Sequence, residues 1–236
     1  MTTIAFIQAR MSSSRFPGKV IADLDGLPMV VFMAARVAQS ARLDAVILAT
    51  SDEPSDDPLA KVAATHGLRV FRGPLEDVLG RFAMVQAQTK AQVIVRMTGD
   101  CPLADPQVID DLIALRATKG VDYVNNVSPR SFPHGLDCEV FTADALARAQ
   151  AGARDAYDRE HVTPWMRSEG AALSSANLHQ VPDLSKLRIT VDHPEDLDVV
   201  RAVVAGTGKN APFHEVAAWL DAHPEIAALN AAHQAV

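Results

Sequence analysis

The chain has 236 residues, of which 48% are hydrophobic and 5% aromatic, and it carries a formal net charge of −7. So few aromatic residues exclude a stacking platform for single-stranded nucleic acid, and an acidic chain without a clustered basic face excludes a duplex-binding surface. The length and apolar content suit one domain over residues 1–236, with a body to about residue 205 and a helical appendage over 206–236.

Taken in chain order, short β-branched runs alternate with longer stretches of helical period. MTTIAFIQAR holds too short an apolar run for a signal peptide, with no basic segment before it. Within it TIAFIQ, ending at Gln8, reads as a buried strand. PMVVFMAARVAQS follows as a helix with Pro28 in its first turn; its apolar run, Pro28 to Ala35, is the longest and is far short of a membrane span. AVILAT (45–50) is a strand, and a helix runs from Asp57-Pro58 to His66, stopped by Gly67. LRVF (68–71) is a strand, with a helix from Leu75 to Lys90. QVIVRM (92–97) is a strand, and Asp105-Pro106 caps a helix to Thr118. DYVNN (122–126), LDCEVF (136–141) and LRITV (187–191) read as further strands. Residues 142–150, 156–168 and 194–205 read as helices, and Val216, Trp219 and Leu220 in the tail as packing residues. The βαβ rhythm implies an α/β fold, a mostly parallel central sheet flanked by helices. The two cysteines, Cys101 and Cys138, form neither a disulfide framework nor a CxxC pattern and read as buried thiols in a reducing compartment. A cytoplasmic protein with no nucleic-acid or membrane partner is expected.

The strands end on polar motifs. Gln8-Ala9-Arg10 to Lys19 follows the first, Thr50-Ser51-Asp52 the second, Arg72-Gly73 the third, Thr98-Gly99-Asp100 the fourth, and Asp192 the run at 187–191. In open α/β sheets ligands sit outside the carboxyl ends of the strands, so these motifs are expected to converge. The loop RMSSSRFPGK (10–19) fits neither the phosphate loop of nucleotide hydrolases nor the dinucleotide fingerprint, since Ser13 and Val20 stand at required positions and Gly18 is its only glycine. Consecutive backbone N–H groups at Ser12, Ser13 and Ser14 can nonetheless form an anion nest. Arg10, Arg15 and Lys19 can neutralise a triphosphate; the alternative is a solvated cationic loop.

Asp100 is placed either to ligate Mg²⁺ or to bond its own turn. Asp192 has Glu195 at capping-box spacing, and cap and metal ligand are compatible roles. Strand alternation puts Asp137 and Glu139 on one face, available to sugar hydroxyls or to solvent. Arg159-Glu160-His161 offers no metal pattern and reads as a salt bridge or an interface helix.

QARMSSSRFPGK, ATSD, VFRG, VIVRMTGDCPLADP, FPHGLDCEVF, REHVTPW and ITVDHPEDL, in that order, closely resemble the cytidylyltransferases of the spore coat polysaccharide biosynthesis type, relatives of the acylneuraminate and 3-deoxy-manno-octulosonate cytidylyltransferases. The resemblance implies a Rossmann-like nucleotidyltransferase (GT-A-like) fold and transfer of a cytidylyl group from CTP to an acidic sugar, with release of pyrophosphate, in polysaccharide or glycoconjugate biosynthesis. It implies Arg10, Lys19 and Asp100 as catalytic residues and Asp100 and Asp192 as ligands of a Mg²⁺ cofactor. CTP would contact Gln8, Ala9, Ser12, Ser13, Ser14, Arg15, Thr50, Ser51, Asp52, Arg72 and Thr98, the base lying near Thr50 to Asp52. His134, Asp137 and Glu139 are expected to face the acceptor, and a homodimer to use residues 156–168. Cys101 stands where the octulosonate enzymes carry glutamate, and His193 where the acylneuraminate enzymes carry a second aspartate, so the acceptor stays open. A glycosyltransferase consuming a nucleotide sugar and a non-catalytic nucleotide-binding module remain as alternatives.

Overall fold

Thr3 to Ile7 are all buried, so the first strand has apolar side chains on both faces and belongs at the centre of a sheet. A computed structural model, which describes residues 1–233, places it there; the last three residues of the expected appendage lie outside the described residues. The elements are β1 (Thr3–Gln8), β2 (Asp23–Leu24), β3 (Leu27–Pro28), α1 (Met29–Val37), β4 (Ala45–Ser51), α2 (Asp57–Thr65), β5 (Arg69–Gly73), α3 (Val78–Thr89), β6 (Val93–Thr98), α4 (Pro106–Lys119), β7 (Tyr123–Asn125), β8 (Glu139–Thr142), α5 (Ala143–Gly152), α6 (Ala156–His161), α7 (Pro164–Arg167), β9 (Ser175–Asn177), α8 (Pro194–Thr207), α9 (Phe213–Ala222) and α10 (Pro224–Ala227).

The seven-stranded sheet has the order β5-β4-β1-β6-β8-β7-β9, and only β8 runs against the rest. Strand alternation divides the core in two. Ala5 and Ile7 face α1, α4 and α8 through Met29, Met33, Leu112 and Val200. Ile4 and Phe6 face α3 and α5 through Leu79, Phe82 and Leu146, with Phe6 and Phe82 edge-to-face at 5.4 Å. The register sets Gln8 of β1 beside Thr98 of β6, so both strands end at the same height.

Two expectations need correction. LRITV is extended but joins no sheet. Its backbone instead bonds two loops: Leu187 and Ile189 pair with His134, and the Val191 N–H donates to the Asp100 carbonyl at 2.8 Å. Gly135, at φ 115°, is what lets the loop lie so close, because a Cβ there would sit 2.5 Å from the Thr190 nitrogen. The expected helix over 156–168 is two short helices, α6 and α7, broken at the buried Val162 (φ 69°), where a β-branched residue is strained. In the tail, Val216 and Leu220 are buried and Trp219 packs against the same core, as expected. Arg36 fixes the segment leading into it by donating to the carbonyls of Ala104, Lys209 and Ala211. No helix among the described residues is long and apolar enough to cross a membrane.

Candidate active site

A cavity of about 360 Å³ opens at the carboxyl ends of β1 and β6. It is walled by the loop after β1, by Thr98-Gly99-Asp100, by the start of α3, by the end of α6 and by Asp192. Another cavity, of about 350 Å³, lies at the opposite ends of β4 and β5 between α1 and α2. It collects no converging functional motif, so strand polarity selects the first.

The loop after β1 is held from below by Asp56. This carboxylate is buried and accepts the Met11 N–H at 2.7 Å, the Thr50 hydroxyl at 3.1 Å, the Ser51 N–H at 3.2 Å and the Ser51 hydroxyl. Thr50 and Ser51 are therefore fully buried supports for the loop, correcting their expected place against the nucleotide. Asp52 is exposed and outside the cavity lining. Arg72 is likewise committed elsewhere, to the carbonyls of Ser51 and Glu53 and to Asp57. Of the expected nest, the Ser13 N–H turns inward to the Met11 carbonyl, at 3.0 Å. Those of Ser12 and Ser14 make no hydrogen bond among the described residues.

Lys19 is the most enclosed cation of the loop, 8% exposed. Its ammonium donates to the Val191 carbonyl at 2.6 Å and to Asp192 at 2.9 Å, and stands 3.7 Å from Asp100. Arg15 reaches Asp192 from solvent at 2.8 Å. Burial works to raise the Asp192 pKa, but Lys19, Arg15 and Arg188 together hold it below its ordinary value. The capping carboxylate of α8 is Asp196 rather than Asp192: its Oδ2 accepts the N–H groups of Asp192 and His193, at 2.8 and 2.9 Å. The Asp192 carboxylate is thereby left to face the cavity. Asp100 and Asp192, two hard carboxylates sharing one ammonium at the cavity edge, form a donor set that suits Mg²⁺ in company with phosphate oxygens. His193, Glu195 and His233 are the one group of three ligating side chains among the described residues. The His193 and His233 rings stack parallel at 3.8 Å, which leaves no point in the plane of both.

Gly99 is required by close approach. A Cβ there would lie 2.7 Å from the Ala9 Cβ and 3.2 Å from the Gln8 carbonyl. Gly99→Ala is expected to push the ends of β1 and β6 apart and to destabilise the protein by about 1–3 kcal/mol, measured by urea unfolding; unchanged stability would contradict this packing account.

Beside this cavity lies another of about 280 Å³, and the two share Arg96, Thr98 and His161. Arg96 is fixed by Gln8 at 3.0 Å and by Glu139. Glu139, 3% exposed, also accepts from Tyr123 and from Thr163 at 3.1 Å, so it anchors Arg96 from within. Asp137 faces the same cavity in a two-pronged pair with Arg130. His134 does not join them: it sits half-buried beside Arg188, its Nδ1 3.2 Å from Nη1, and burial lowers its pKa. Arg10 reaches Glu160 at 3.1 Å across the mouth, and Arg159 pairs with Asp77, so the 159–161 motif supplies both a salt bridge and, through His161, a cavity wall. Sequence reasoning missed Arg81, Arg96, Arg130, Arg167 and Arg188; for Arg96 the reason is that its partners, Gln8 and Glu139, are distant in the chain. The free thiols of Cys101 and Cys138 are buried, and burial pushes both pKa values well up.

Comparison with known proteins agrees with this architecture. A family model described as cytidylyltransferase matches residues 4–205. The spore coat polysaccharide biosynthesis protein SpsF of Bacillus subtilis is 36% identical, over 96% of this chain and 98% of its own. The structure of a cytidylyltransferase from Leptospira borgpetersenii superposes with a TM-score of 0.92 at 29% identity, covering 96% of both chains. A CMP:2-keto-3-deoxy-manno-octonic acid synthetase complexed with CTP shares the fold, with a TM-score of 0.68 at 18% identity over 87% of this chain and 99% of its own. The chain belongs to the cytidylyltransferase family and is a nucleotidyltransferase of that kind.

Proposed function

We propose that the chain transfers a cytidylyl group from CTP to a hydroxyl of an acidic sugar, releasing pyrophosphate. The observation that carries this reading is Lys19 set between the carboxylates of Asp100 and Asp192, at one end of a cavity that adjoins a second across Arg96. The triphosphate takes the Lys19 and Arg15 end, with the N–H groups of Ser12 and Ser14, and Arg10 exchanges Glu160 for a phosphate oxygen. Mg²⁺ held on Asp100 and Asp192 would neutralise phosphate charge. The acceptor hydroxyl attacks the α-phosphorus, the bond to the bridging oxygen of the β-phosphate breaks, pyrophosphate leaves, and the hydroxyl proton passes to solvent. The protein's part is positioning and charge neutralisation, with no covalent intermediate. Arg96, braced by Gln8 and Glu139, stands where the two substrates meet.

The acceptor's acidity is supported by the charges of the second cavity. Arg96 and Arg130 are balanced by Glu139 and Asp137, whereas Arg167 makes no ion pair among the described residues. A sugar carboxylate supplies its partner. The Bacillus subtilis relative's name supports a place in polysaccharide biosynthesis.

Melting curves with each of the four ribonucleoside triphosphates, with and without Mg²⁺, test the nucleotide half, since a ligand of the native state raises Tm with occupancy. A rise selective for CTP and enhanced by Mg²⁺ is expected; a rise with nucleotide sugars alone would favour a glycosyltransferase instead.

A further inference from the structure

Residues 206–233 lie beyond the stretch that the cytidylyltransferase model matches, yet they finish against the back of the site. Val216, Leu220 and Ile226 pack on the core that contains Leu197, Val200 and Val204 of α8, which seats the tail on that helix. A 3₁₀ turn over Ala228–His233 then reaches the first turn of α8, directly behind Asp192.

There Asn230 is 1% exposed. Its Nδ2 donates to the Asp196 carboxylate at 2.9 Å and to the Arg188 carbonyl at 3.3 Å. It thus ties together the two residues that fix Asp192. Asp196 accepts the Asp192 N–H at 2.8 Å, and Arg188, held on Asp196, donates to the Asp192 carboxylate at 3.2 Å. The backbone and the side chain of Asp192 are therefore both set by one pair, and Asn230 clamps that pair from the tail. Three residues on, the His233 ring stacks on His193 at 3.8 Å and reaches Glu195 at 3.4 Å. None of Arg188, Asp196, Asn230 and His233 lines the nucleotide cavity, so whatever they do for it passes through Asp192. Packing alone would be served by an apolar side chain at 230. A buried amide is costly unless it is paired, and this one is spent on the Asp196–Arg188 pair.

We infer that the tail is part of the metal-binding apparatus, with Asn230 as a positioning residue that acts through Asp196 and Arg188. It holds the Asp192 carboxylate at the cavity beside Asp100. The inference rests on the metal pair proposed above. Groups behind a metal ligand orient it, and losing one weakens metal binding by about ten- to a hundredfold.

CTP affinity measured by calorimetry in Mg²⁺ and again in EDTA separates metal positioning from folding. The parent is expected to bind CTP more tightly in Mg²⁺. Asn230→Ala is expected to lose about tenfold in Mg²⁺ and to stay within about twofold of the parent in EDTA. Leu146→Ala, a core change on the other face of the sheet, serves as the stability control. It is expected to lower Tm at least as far and to leave both affinities unchanged. Should Asn230→Ala fail to fold, His233→Ala, at a part-exposed position, makes the same test, with an expected loss of about threefold in Mg²⁺ alone. No loss in Mg²⁺, an equal loss in EDTA, or the same pattern in Leu146→Ala would make the tail a structural clasp and overturn the inference. A parent that binds CTP no better in Mg²⁺ would overturn the metal pair and the inference with it. A Mg²⁺ gain that the tail variants retain would overturn the inference alone.

Discussion

Asp100→Asn and Asp192→Asn are each expected to lower turnover by about 10²- to 10³-fold, the usual loss when a group that stabilises transition-state charge is removed. Both changes keep the side-chain volume and remove one negative charge. They differ in what they leave behind. Asp100 is only 3.7 Å from Lys19 and partly exposed, so its replacement should alter stability by less than about 0.5 kcal/mol. Asp192 faces Lys19, Arg15 and Arg188 together, and its loss leaves cations short of a partner, costing about 1–3 kcal/mol. Steady-state pyrophosphate release and urea unfolding, on the same preparations, separate the two effects. Turnover like the parent's in either variant at saturating Mg²⁺ would remove that residue from the proposed metal pair.

The largest stability effect is expected at Asp196. This carboxylate is fully buried and holds Arg188 through two bonds of 2.8 Å, caps α8, and accepts from Asn230 at 2.9 Å. Burial alone would raise its pKa, but Arg188 and the N–H groups of Asp192 and His193 bring it down to about 2. Replacing Asp196 by alanine strands a guanidinium that is 7% exposed, at a cost of about 3–5 kcal/mol. Activity should fall with it, because Arg188 also holds Asp192 at 3.2 Å. The same shift fixes the acid behaviour. A carboxylate whose folded value lies below its unfolded value stabilises the protein fully above that unfolded value, 3.8, and the benefit is lost as pH falls toward about 2. The shift corresponds to about 2 kcal/mol. Urea midpoints at pH 6 and pH 3 measure it: the parent should weaken on acidification, and Asp196→Ala should lack this component. Equal acid sensitivity in both proteins would remove Asp196 from this role.

Local signals carried the sheet, because a strand buried on both faces reads as an unbroken apolar run, as β1 does from Ile4 to Ile7. The loop from Arg10 to Lys19 was legible for a different reason, three cations and three serines crowded at a strand end. What local signals could not carry was partnership across the chain. Thr50 and Ser51 look available at the end of β4 until Asp56 folds back and takes their hydroxyls. The alternation of LRITV is that of a strand, yet its hydrogen bonds go to His134 and Asp100, and this tie sets Asp192 beside Asp100. The cap of α8 was displaced by one residue, since spacing could not show that Asp196 would take two N–H groups at once. His134 and Asp137 are close in sequence but look into different surroundings, because Gly135 turns the chain between them.

The central claim is where the α-phosphate goes, and it is best followed with CTP labelled at the α- or the γ-phosphorus, incubated with Mg²⁺ and a panel of carboxylated and neutral sugars. The expected result is α-label in a new sugar phosphodiester and γ-label in pyrophosphate, in equal amounts and only with a carboxylated acceptor. Bound CTP whose α-label never leaves the nucleotide, or leaves without pyrophosphate, would contradict it.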